Sequence, residues 1–170
     1  MDAAKDFLDE FKLERDFKKV IPFLKEKPVL AIDLLHLIEQ KAAYPYAEYA
    51  SWIWTHLAKD LPEFAQKYYP NLVDILFETK NESILRNVIA GIVHLKKTEY
   101  KEGEFIDLLI QFLLEKNHNV ALHVYSLYVL TDFIKKYPEL KQEVNSVVEL
   151  LMENPKPALK VAYRKFTQGK

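Results

Sequence analysis

Apolar residues recur along almost the whole chain at spacings of three and four residues, which places them on one side of an α-helix. Between 46 and 61 this stripe consists of Tyr46, Tyr49, Ala50, Ile53, Trp54, Leu57 and Leu61. A second stripe runs from Ile84 to Leu95, and a third from Phe105 to Phe112. Residues 119–137 are apolar nearly all round, which predicts a helix enclosed by its neighbours. Sustained alternation of apolar and polar residues is absent, so the pattern predicts an all-α protein with no strands.

The breaks between the stripes define the predicted helices. Prolines fall between periodic segments, where a missing amide costs little, and Asn81 is predicted to cap the helix that follows it. We predict helices near residues 3–12, 16–26, 28–40, 45–60, 69–79, 82–97, 102–115, 119–136, 139–152 and 156–167. Most are joined by loops of a few residues.

These helices repeat one another at a fixed period. The pattern Asn117-x-x-x-Ala121-Leu122-x-Val124 returns 37 residues later, beginning at Asn154. Asn81 precedes the first of them by 36 residues, and Leu61-Pro62-Glu63-Phe64-x-Gln66 is echoed by Tyr137-Pro138-Glu139-Leu140-x-Gln142. A period of 36 to 38 residues with two helices per unit is typical of an α-solenoid.

On these motifs the chain resembles small bacterial HEAT-like repeat proteins. The resemblance implies a short right-handed α-α superhelix of about four to five helix pairs, with roughly ten helices in a single domain over residues 1–170. Residues 1–15 would form a capping helix and residues 16–168 the repeats. Some relatives of this type carry an adenylosuccinate lyase label, but the Ser- and Gly-rich signature loop of that enzyme is absent here.

The composition argues against most kinds of catalytic site. The chain has no cysteine and three glycines, so neither thiolate chemistry nor a glycine-rich phosphate or dinucleotide loop is expected. The five histidines do not follow a metal-ligand spacing. We therefore predict no catalytic residue, no metal and no cofactor. The acidic, polar N-terminus and the lack of a long apolar run predict a cytoplasmic protein without a membrane span.

Charge is distributed unevenly between the predicted helices, although the net charge is only −1. The resemblance implies that the second helix of each pair lines the concave face. These second helices correspond to residues 28–40, 69–79, 102–115 and 139–153. They carry one base, Lys141, and twelve acids: Asp33, Glu39, Asp74, Glu78, Glu102, Glu104, Asp107, Glu115, Glu139, Glu143, Glu149 and Glu153. The candidate partner-binding acids are Asp33, Asp74, Glu78, Glu104, Asp107, Glu115 and Glu149. The alternative interpretation is an ordinary solvated surface, since Glu is a good helix former.

Two further features are candidate contact points. Trp52 lies about 100° round the helix from Ile53 and is a candidate aromatic anchor for a partner, or it packs against the preceding repeat. The C-terminal stretch is basic, with Lys160, Arg164 and Lys165 as candidates for an acidic partner or a phosphate, and with Lys170 beyond them. The alternative is a solvated helix whose cations lie near the negative end of its dipole.

Three functions are compatible with these features. The leading hypothesis is a non-catalytic scaffold that binds a protein or a basic peptide through its acidic face. DNA alkylation-repair proteins of HEAT-like type are the second, although nucleic acid is not the expected partner because phosphate contacts come mainly from Lys and Arg. The third is a structural module that associates with itself through its end helices. The sequence does not predict the oligomeric state.

Overall fold

The computed structural model describes residues 2–168, and this part of the chain contains helices and no strand. The helices are α1 (Asp2–Glu14), α2 (Phe17–Glu26), α3 (Pro28–Glu39), α4 (Tyr46–Asp60), α5 (Pro62–Ala65), α6 (Tyr69–Glu78), α7 (Glu82–Ile92), α8 (Glu102–Leu114), α9 (Val120–Lys136), α10 (Leu140–Leu151) and α11 (Pro157–Gln168). The all-α prediction is confirmed, and every predicted helix has a counterpart. Lys170 lies outside the described residues.

Several helices begin at a side chain that accepts a hydrogen bond from the first turn. Asp16 accepts from the amide of Lys18 at α2, Asn81 from Ser83 and Ile84 at α7, and Asn119 from Ala121 at α9. Such caps satisfy amides that have no partner within the helix. The predicted cap at Asn81 is confirmed.

The chain packs as two compact units, the first ending at Lys96 and the second beginning at Lys97. In the first unit α4 is central and packs against α1, α2, α3 and α7. Trp54 on α4 is 1% exposed, and its indole Nε1 donates a hydrogen bond to the carbonyl of Ala31 over 3.1 Å. Gly91 brings α7 close to α4, because a Cβ added there would lie 3.3 Å from Ala58 Cβ.

In the second unit α9 is central and packs against α8, α10 and α11. Phe105 of α8 and Phe133 of α9 meet edge to face, with ring centroids 6.0 Å apart. The predicted enclosure of α9 agrees with its buried residues, which run from Leu122 to Phe133. The prediction of one domain over the whole chain stays a prediction.

The structure differs from the predicted helices in two places. The helix predicted to reach residue 97 ends at Ile92, because the amides of His94 and Leu95 bond three residues back, to Gly91 and Ile92, and tighten the last turn. Between α4 and α6 the chain forms the short helix α5 and a 3-10 turn at Gln66–Tyr68 rather than a plain loop. Pro62 opens α5 at a position where its missing amide is not needed.

Candidate functional site

Three of the predicted binding acids lie along α8 and at its end. Glu104, Asp107 and Glu115 are exposed, with Gln111 between the last two. Residues three and four apart are neighbours on a helix surface, so these four side chains form a row. Glu115 accepts a hydrogen bond from Gln111 over 3.2 Å and lies 2.9 Å from His118 Nε2.

The charges of Glu104 and Asp107 are not neutralised by any base among residues 2–168. Neither forms an ion pair or a side-chain hydrogen bond with another described residue. Glu102, two residues before Glu104, is different, because its carboxylate lies 2.9 Å from Lys136 Nζ. A hydrogen bond with Tyr137, followed by the bond from Lys136, holds the pKa of Glu102 below its usual range. The unbalanced negative charge near the start of α8 therefore belongs to Glu104 and Asp107.

Glu149 lies on α10, which packs against α8. It is exposed and accepts a hydrogen bond from Asn145 over 2.7 Å. The side-chain Oδ1 of Asn145 in turn accepts a hydrogen bond from the Tyr163 hydroxyl of α11 over 2.9 Å. Glu149 is thus held by polar contacts along its own helix.

The other three acids belong to the first unit. Asp33 on α3 is half-buried, 4.0 Å from His36 Nδ1, while Asp74 and Glu78 are one turn apart on α6. Helices α3 and α6 are in contact, and Asn71 of α6 donates a hydrogen bond to Glu39 of α3 over 2.7 Å. The seven acids therefore form two groups, one in each unit.

Trp52 packs among aromatic rings of other helices. Its ring centroid is 4.8 Å from that of Phe17 and 6.0 Å from that of Phe11, both edge to face. His56 stacks on Phe17 at 3.6 Å, and its burial lowers the pKa of its imidazole. Trp52 is half-buried, so the structure gives it a packing role against α1 and α2. A role as a partner anchor stays a prediction.

The predicted basic candidates lie on α11. Lys160, Arg164 and Lys165 are all exposed, and Lys165 Nζ lies 5.4 Å from the ring centroid of Tyr128 on α9. Lys160 and Arg164 are one turn apart and form no ion pair within residues 2–168. Their outer face also carries Val161, which is 43% exposed.

A groove in the first unit was not predicted. It lies between α1, the end of α2 and the start of α3, and its volume is about 660 Å³. Phe7, Phe23 and Val29 line it together with Asp6, Glu10, Glu26 and Asp33. The sequence signal was weak: Ala3, Asp6, Phe7 and Glu10 share one face of α1, but the partners on α2 and α3 become neighbours only through packing. Hereafter this feature is called the N-terminal groove.

Residues 2–168 contain neither a cluster of metal ligands nor a membrane-spanning helix. No three side chains among His, Asp and Glu in this range are grouped so that they could hold a metal ion. Within the same range, each helix is too short or too polar to cross a lipid bilayer.

Comparison with protein-family models gives a match over nearly the whole chain. A family model described as a HEAT repeat domain matches residues 4–170. The comparisons with curated proteins and with solved structures gave no match.

Proposed function

We propose, because this chain belongs to the HEAT repeat family, that it is a non-catalytic scaffold that binds a basic peptide or a basic segment of a protein. Stacked helical repeats offer extended surfaces that suit such binding. The proposal assigns capture of the partner to the acids of α8, with Glu104 and Asp107 as the principal contacts.

The unbalanced charge of Glu104 and Asp107 carries this proposal. Both carboxylates are exposed, they lie one turn apart, and neither is engaged by a base. An acidic surface of this kind accelerates encounter with a cationic partner and repels nucleic-acid phosphates. The neighbouring Glu102 does not contribute in the same way, because Lys136 neutralises it.

Charge reversal tests the proposal. Affinity capture from native lysate with the wild-type protein would first identify the partner, which is then purified. Binding of the purified partner is then measured for the wild-type protein and for the Glu104→Lys, Asp107→Lys double variant. We expect about tenfold weaker binding of the purified partner by the variant, and weaker binding by the wild type as salt screens the charges.

The matched control reverses two other exposed acids of the second unit, Glu99 and Glu143, by Glu99→Lys and Glu143→Lys. Its net charge equals that of the test variant, so a loss common to both variants would indicate a general effect of charge and count against the α8 site. Tight, salt-dependent binding of a short DNA duplex that requires Lys160 and Arg164 would instead support the nucleic-acid hypothesis. Sedimentation at several concentrations tests self-association.

A further inference from the structure

The floor of the N-terminal groove is apolar and accessible. The rings of Phe7 and Phe23 stack with centroids 5.7 Å apart and planes 8° from parallel. Phe23 is 38% exposed, and Val29 beside it is 70% exposed. Phe7 is half-buried. Exposed apolar side chains scattered singly are ordinary, but burial of several that line one cleft stabilises a complex when a partner covers them.

Acids stand on both sides of this floor. Asp6 and Glu10 belong to α1, whereas Glu26 and Asp33 belong to α2 and α3. Asp6, Glu10 and Glu26 are exposed and form no ion pair with another described residue. Among the described lining residues Lys27 is the one base, and its Nζ lies 4.5 Å from the ring centroid of Phe23. The groove therefore combines an apolar floor with two negative walls.

We propose that the N-terminal groove binds an amphipathic basic helix of a partner protein. Apolar side chains of that helix would lie on Phe7, Phe23 and Val29, and Lys or Arg on its two flanks would face Asp6 and Glu10 on one wall and Glu26 on the other. An amphipathic helix presents an apolar stripe with cations on both sides, which matches a floor between two acidic walls. An anionic lipid surface does not match, because the acids would repel its headgroups.

This inference rests on the proposed function and names a second contact surface for it. It differs in location, since Asp6, Glu10 and Glu26 lie in the first unit and Glu104 and Asp107 in the second. It also differs in chemistry, because the groove requires apolar contact as well as opposite charge.

The probe is a fluorescein-labelled synthetic peptide with Leu on one helical face and Lys on the others. Two comparison peptides contain the same residues in a scrambled order, or Glu in place of Lys. Fluorescence anisotropy at physiological salt should show the Leu/Lys helix binding the wild-type protein about tenfold more tightly than the scrambled peptide, and the Leu/Glu peptide not binding.

Two variants locate the binding. The Glu10→Lys, Glu26→Lys double variant should bind the Leu/Lys helix about tenfold more weakly. Its matched control, Asp60→Lys with Glu63→Lys, reverses two exposed acids of the same unit outside the groove and should bind as the wild type does. Unchanged binding by the groove variant would overturn the proposal.

Val29→Asp separates apolar docking from simple charge attraction. Val29 follows Pro28 at the start of α3, where an acid is favourable, so the helix should still form. The substitution removes apolar surface and adds a negative charge. We expect weaker binding, and tighter binding would overturn the role of the floor.

Three further outcomes discriminate between the surfaces. If Glu104→Lys with Asp107→Lys abolishes peptide binding and the groove variants do not, the groove fails while the proposed function stands. If the partner captured from lysate binds through α8 and the Leu/Lys helix binds nowhere, the groove again fails alone. Concentration-dependent self-association that is lost in the Glu10→Lys, Glu26→Lys double variant would make a second copy of this chain the occupant, and would overturn the proposal of a different partner protein.

Discussion

The side-chain amide of Asn87 donates a hydrogen bond to the hydroxyl of Ser51 over 3.0 Å, and both residues are buried between α7 and α4. The Ser51 hydroxyl in turn donates a hydrogen bond to the backbone carbonyl of Glu48 over 2.8 Å. The Thr55 hydroxyl donates to the carbonyl of Asn87 at 2.7 Å. A short row of polar groups on α4 therefore meets one asparagine of α7 and sets the alignment of the two helices.

Removal of the Asn87 amide should destabilise the first unit. Asn87→Ala deletes the donor to Ser51 and leaves space at a buried contact, so we expect a loss of about 1–3 kcal/mol in the free energy of unfolding. Urea unfolding followed by tryptophan emission measures it, because Trp52 and Trp54 both lie on α4. Gln40→Ala is the control, since Gln40 is exposed and its side chain makes no hydrogen bond within the described residues. Equal midpoints for Asn87→Ala and the wild type would contradict the prediction.

A bulky residue at position 91 should separate α7 from α4. A Cβ there already lies 3.3 Å from Ala58 Cβ and 3.5 Å from Thr55 Cα, so Gly91→Leu should lower the free energy of unfolding by about 1–3 kcal/mol. Gly103 offers a matched comparison, because a Cβ added to it meets nothing within 4 Å. Thermal unfolding by circular dichroism should find Gly103→Leu at least as stable as the wild type, since glycine is a poor helix former. A tolerated Gly91→Leu would show that the two helices can move apart freely.

Lys97 should make stability rise with pH in the alkaline range. Its side chain is 8% exposed, with Nζ 3.0 Å from Asp132 Oδ2, and burial lowers the pKa of its ammonium group below the usual 10.5. Between the lowered pKa and 10.5 the unfolded chain binds more protons than the folded one, so deprotonation favours the folded state as pH rises through this window. The difference in unfolding free energy between the wild type and Lys97→Met isolates this effect.

Asp132 provides the control for that measurement. Its carboxylate opposes the effect of burial on the pKa of Lys97, so Asp132→Asn should lower that pKa further and extend the window to lower pH. If the difference in unfolding free energy between the wild type and Lys97→Met stays constant from neutral to alkaline pH, the pH dependence does not come from Lys97.

Periodicity within one helix was enough to predict the helical elements. The stripes of α4 and α7 and the cap at Asn81 correspond to what the structure contains, because helix formation depends on neighbours three and four residues apart. The end of α7 was predicted five residues too late, since apolar spacing continues through Val93 and Leu95 while the hydrogen bonds tighten. The ends of the other predicted helices agree with the structure to within a turn, so the end of α7 is the exception.

Contacts between helices were harder to predict from the sequence than the helices themselves. Trp52 lies off the stripe of its own helix, and its neighbours Phe11 and Phe17 come from α1 and α2. The N-terminal groove was missed for the same reason, because Phe7, Phe23 and Val29 lie on three different helices. The acids of α8 could be predicted, since they follow one another along a single helix. The neutralisation of Glu102 by Lys136 could not, because it depends on how α9 packs on α8.

The close approach of α7 to α4 at Gly91 also limits which substitutions this position can accept during evolution. A methyl group would already press on Ala58, so only the two smallest amino acids suit this position unless Ala58 becomes glycine in the same lineage. Divergent HEAT repeat relatives that keep this helix pair should therefore show position 91 restricted to glycine and alanine, or changing together with position 58, while position 103 varies freely.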